Sequence, residues 1–99
     1  MFVRYIFLNG SLSALFNDIN IVLTDALNLQ NQAGSYITSP ITKNLPNNRD
    51  YGFLFIVYGS QKMWRLLVFI PTALDGIYIN HYNAYGDPII GWIGWVRIS

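Results

Sequence analysis

Cysteine is missing from the 99 residues. Its absence removes disulfides, thiolate zinc sites and a cysteine nucleophile, and it suits assembly in a reducing cytoplasm. Glutamate is missing too, and His81 is the single histidine. General acid–base catalysis needs a group oriented by a partner, and a metal site needs a set of ligands; the sequence supplies neither. The five aspartates are spread along the chain without the spacing of a calcium loop. Carboxylate pairs can still meet in a fold or across subunits, as glycoside hydrolysis requires, but no motif supports that reading. We therefore expect no enzyme, no cofactor and no metal. Charged residues make up 11% of the chain, against roughly 25% in an ordinary soluble domain. The net charge of +1 comes without a clustered basic face, which argues against nucleic acid as the main partner. No basic run suits a membrane surface, and no apolar run approaches the ~20 residues that span a bilayer. After Arg4 the apolar stretch is interrupted by Asn9-Gly10 with no small-residue cleavage site, so we read no targeting segment.

What is present is apolar: 53% hydrophobic and 16% aromatic residues, with an uncharged polar supply rich in asparagine. The chain is organised around Gly52–Tyr82. Phe53–Tyr58 and Trp64–Ile70 are short runs of β-branched and aromatic residues, separated by Gly59-Ser60-Gln61-Lys62 and followed by Pro71–Gly76. These spacers are turn-formers, so the runs read as adjacent antiparallel strands. Residues 53, 55 and 57 are Phe, Phe and Val, while 54, 56 and 58 are Leu, Ile and Tyr. A strand with one wet face should alternate; these need cover on both faces. A domain this small has little to cover them with, so a second copy is expected to supply it.

In chain order, Phe2–Leu8 reads as a strand or extended lead-in. Ser11–Leu29 carries Leu12, Leu15, Phe16, Ile19, Val22 and Leu23 near a helical period, so a short N-terminal helix is expected, although the alternation at 19–24 also suits a strand. Ser35–Thr38 reads as a short strand and 43–51 as a turn-rich loop. Ile77–Tyr82 reads as a half-exposed strand. Trp92–Ile98 reads as a final strand with Trp92, Val96 and Ile98 on one side and Trp95 and Arg97 on the other. The expected fold is a mainly β, small antiparallel sheet domain over residues 24–99, preceded by a lead-in over 1–23.

The series Asp25-Ala-Leu-Asn-Leu29, Gly34-Ser-Tyr36, Asn44-Leu-Pro46, Gly52-Phe-Leu-Phe-Ile-Val57, Gly76-Ile-Tyr-Ile-Asn80 and Gly91-Trp-Ile-Gly-Trp-Val-Arg-Ile98 resembles the pyocin-knob type of phage tail-fibre domain. The order of these elements is more specific than any one of them. Ile93-Gly94 departs from the family, which often has Ser or Pro between its closing aromatics, and residues 1–23 lie outside the match. The resemblance implies a homotrimer in the virion tail fibre, assembled in the host cytoplasm beside other tail or baseplate proteins. It also implies a receptor-binding role toward a bacterial surface polysaccharide. A purely structural trimerisation knob is the alternative, and a fibre-borne depolymerase ranks behind both.

Tyr78, Asn80, Tyr82, Tyr85 and Asp87 combine flat rings with amide and carboxylate groups, the mixture a saccharide uses. If Ile77 and Ile79 take the core, Tyr78, Asn80 and Tyr82 face outward. Tyr-rich β surfaces also serve as interfaces, and that reading stands beside the saccharide one. Trp92 reads better as a core plug than as a sugar platform. Phe53, Phe55, Leu66 and Val68 are the expected oligomer contacts. His81, a lone imidazole on an alternating strand, reads as a surface or hydrogen-bonded residue.

Overall fold

The computed structural model describes residues 21–59 and 63–99. It shows a single antiparallel sheet built from β1 (Gly34–Thr38), β2 (Gly52–Gly59), β3 (Trp64–Pro71), β4 (Tyr78–Asn83), β5 (Gly91–Trp92) and β6 (Val96–Arg97). The strands lie in the order β1-β2-β3-β4-β5, with β6 also pairing β4. The paired runs β2 and β3 form an eight-residue ladder from Gly52↔Pro71 to Gly59↔Trp64, as their apolar, β-branched composition predicts. The expected helix is not formed over the described part of Ser11–Leu29. Val22 instead forms a parallel bridge to Ile37, and residues 25–30 turn. Backbone pairing explains this: the Ile37 N–H donates to the Ile21 carbonyl (3.0 Å) and the Leu23 N–H to the Ile37 carbonyl (3.3 Å). The alternation won over the helical period because β1 offered an open edge. The rest of that expected helix, and the Phe2–Leu8 strand, lie outside the described residues.

The register sorts every side chain onto one of two faces. On the inner face, Tyr36, Leu54, Phe69 and Tyr78 form one cross-strand row and Ile56, Leu67 and Asn80 another. Leu23 and Ala26, from the segment before β1, complete this core, with Leu27, Leu45, Trp92 and Trp95 packed against it. The loop that brings Leu45 over the sheet uses Asn44, Asn47 and Asn48, all at positive φ (50–66°). Asparagine tolerates that conformation better than most residues, which gives the asparagine-rich composition a local purpose. Gly52 is sterically required: a Cβ there would lie 2.6 Å from the Ile70 carbonyl and the Phe69 ring.

The last strand differs from the expectation of one unbroken run. Gly94 (φ +109°) breaks it into β5 and β6, and the break reverses the side-chain phase. Trp92 pairs with Tyr82 on the inner face, whereas Val96 pairs with Ile79 on the outer one. Trp92 and Trp95 thus both pack on the core, and the expected separation of Trp92 with Val96 from Trp95 is overturned. Trp95 meets Phe69 edge-on (centroids 6.3 Å) and donates its indole N–H to the Asn44 carbonyl (2.7 Å).

Candidate functional site

Two surfaces carry the candidate residues: the outer face of the sheet, and the end where β3 begins and β4 stops. On the outer face the rows run Ile37–Phe53–Ile70, then Ser35–Phe55–Val68–Ile79–Val96, then Val57–Leu66–His81. Phe53, Phe55, Leu66 and Val68, the expected oligomer contacts, all lie in these rows, and Phe55 stands directly opposite Val68. Phe53, Val57, Leu66, Ile93 and Val96 remain 39–61% exposed. None of the side chains in these rows carries a fixed charge. Ile79 extends this face through its register with Val68, and Val96 through the phase reversal at Gly94, which leaves no signature in a plain alternation of residue types.

The saccharide candidates divide. Tyr78 and Asn80, expected to face outward, are 3% and 2% exposed and belong to the core. The Tyr78 ring packs on Phe69 (6.4 Å), and its hydroxyl accepts from the Asn47 amide (3.3 Å). Asn80 Oδ1 accepts from the backbone N–H of His81 (2.8 Å) and of Gly94 (3.0 Å), so it ties β4 to the break between β5 and β6. The expectation failed because Ile79 is registered to Val68, and through it to Phe55, on the outer face. With both faces of β2 and β3 apolar, the isoleucines of β4 find apolar neighbours on either side. Asn80 can then go inward because its carbonyl oxygen is doubly paired, while its buried Nδ2 has no hydrogen-bond partner among the described residues.

Tyr82, Tyr85 and Asp87 stay at or near the surface. Tyr82 is half-buried against Trp92 (centroids 5.2 Å, planes 59° apart). Tyr85 is exposed and stands 5.9 Å from the ring of Trp64, and Asp87 is exposed just beyond it. An Asn83 Oδ1 bond to the Tyr85 N–H (2.9 Å) shapes that turn. The sheet end therefore presents two tilted aromatic pairs, one on each face. Trp64 is a member that sequence reasoning overlooked, since it was read only as the opening of an apolar strand. Its register sets it opposite Gly59, against which the ring packs so closely that a Cβ there would come within 2.9 Å of it, and the side chain stays 43% exposed.

Two clefts flank the far end. The larger, about 490 Å³, lies between Leu74, Asp75, Ile77 and Arg97. Beside it Arg49 and Asp75 form an ion pair between partly exposed side chains, a kind worth little to stability. Among the described residues, no three metal-ligating side chains come together. No protein-family model, characterised protein or solved structure matches the chain.

Proposed function

We propose that this chain is a self-associating attachment domain of the phage tail-fibre type, which trimerises and binds a bacterial surface saccharide. The observation that carries it is the uncharged apolar outer face. The exposed parts of Phe53, Val57, Leu66, Ile93 and Val96 amount to on the order of 400 Å², already the size of the largest patch on a typical monomer. The half-buried Ile37, Val68, Ile70 and Ile79 enlarge it toward the ~800 Å² that each partner gives a standard interface. With no charge to match, the face is complementary to itself, and a second copy is the occupant we assign. The number three comes from the resemblance to tail-fibre domains. In this reading the saccharide meets Trp64 and Tyr85, with Tyr82 and Asp87 at the rim, and repetition on an oligomer supplies avidity.

The burial of Tyr78 and Asn80 favours a second reading, a structural knob that holds other tail parts together without a ligand of its own. One set of variants separates the two. Val57→Lys places a charge on the outer face and should give a folded monomer by light scattering at micromolar concentration. Trp64→Ala and Tyr85→Ala should leave assembly intact and weaken binding to host cell-wall saccharide at least tenfold. A wild-type chain that is monomeric overturns the proposal. Unchanged binding in both assembled aromatic variants moves the saccharide elsewhere, and no saccharide binding at all leaves the structural knob.

A further inference from the structure

Every outer-face position of β2 and β3 is apolar, but the row Val57–Leu66 continues onto β4 at His81. The imidazole also lines a pocket of about 180 Å³ with Ile79, Ile93 and Val96, at the edge of the same face. From β3, Trp64, Leu66 and Val68 share its face, and Arg65 is turned to the inner side. From the closing segment, Ile93 and Val96 approach it, and the Ile93 N–H donates to the His81 carbonyl (2.9 Å). On its own strand the neighbours on that face are Ile79 and Asn83, while Tyr82 pairs with Trp92 on the inner one. The loop after β4 adds the Tyr85 phenol, beside Trp64, and the Asp87 carboxylate, exposed two residues further on. The cross-strand rows of this face hold no carboxylate to compensate an imidazolium.

We propose that self-association through the outer face is gated by the proton on His81: the neutral imidazole is accepted into the contact and the imidazolium is rejected. The inference rests on the reading of this face as the contact between copies. Histidine is the side chain whose charge ordinarily changes between pH 5 and 8. A partner laid over the face would strip water from it and leave a charge with no counter-ion, an arrangement that proteins avoid. If only neutral imidazole is competent, apparent affinity falls with the neutral fraction, about tenfold per enclosed imidazole for each pH unit on the acid side.

The test is sedimentation equilibrium of the full chain from pH 8.0 to pH 5.5 at constant ionic strength, with circular dichroism to follow the fold. Wild type should lose affinity for itself by at least tenfold as pH falls, with the β signal unchanged. His81→Gln and His81→Leu should associate equally at both ends of the range. Association that ignores pH in the wild type overturns the gate and leaves the interface standing. A pH dependence that survives in both variants also overturns it, by assigning the proton to another group. A chain that is monomeric throughout removes the interface and the gate together.

Discussion

Arg65 and Tyr58 stand directly opposite each other on β3 and β2, with the guanidinium carbon 4.6 Å from the centre of the tyrosine ring. Both donate to the Asn31 carbonyl, and Arg65 also reaches the Leu29 carbonyl (2.5 Å). A buried guanidinium on the inner face is thus held through its two terminal nitrogens by backbone carbonyls and an aromatic ring, while its Nε has no partner among the described residues. The pair holds the 29–31 loop over one end of the core. Replacing Arg65 by Met removes charge-assisted hydrogen bonds from carbonyls the loop needs, and should cost about 2–4 kcal/mol. Urea denaturation would read that loss. Lysine, a point donor without the planar fork, should recover less than half of it; full recovery would show that charge alone is what matters here.

Asn80 provides the contrast between a ligand contact and a structural one. Asn80→Ala strips the acceptor from the His81 and Gly94 N–H groups. Leaving buried donors unpaired should lower stability by about 2–3 kcal/mol and loosen the β4–β5 junction. Hydrogen exchange at Gly94 should then accelerate. A stable variant whose only defect is in saccharide binding would contradict this placement.

Leu74 follows β3 at φ +56° and is 78% exposed. A leucine in the left-handed region is strained, and its side chain here gains little burial in return. Leu74→Gly should relieve strain of about 1 kcal/mol, offset in part by the greater freedom of glycine in the unfolded chain. We expect a thermal midpoint higher by a few degrees, measured by calorimetry. A lower midpoint would mean that the greater freedom of glycine in the unfolded chain outweighs the relieved strain.

Burial, and then the neighbouring Tyr58, push the Tyr36 phenol above its ordinary value, and its hydroxyl donates to the Gln32 carbonyl (2.5 Å). The neutral phenol is favoured in the fold, so its contribution is complete below the unfolded value, near pH 10, and is lost as pH rises through the folded one. Stability of the wild type should therefore fall in alkali. Tyr36→Phe should start about 1 kcal/mol lower at neutral pH, from the lost hydrogen bond, and then show a shallower alkaline slope. Equal slopes in the two proteins would assign the alkaline loss to other tyrosines.

The sequence by itself determined where the two central strands run and which way they pair. The runs Phe53–Tyr58 and Trp64–Ile70, joined by a short polar turn, have no length for a crossover, so β2 and β3 had to be antiparallel neighbours. It also determined that both faces of that pair are apolar, and Phe53, Phe55, Leu66 and Val68 do share one face of the sheet. It could not determine which face the chain covers for itself. That choice rests on non-local events: Leu23, Ala26 and Leu45 arriving from loops, and Trp95 reaching Phe69 after Gly94 reverses the phase. Asn80 was legible as polar and Ile79 as apolar, yet a strand's inward side is set by register with its neighbour. Once Ile79 pairs with Val68, Asn80 must enter the core, where two backbone N–H groups satisfy its carbonyl oxygen. Only the tertiary structure decided that, because those N–H groups come from the next residue of β4 and from a break fourteen residues away.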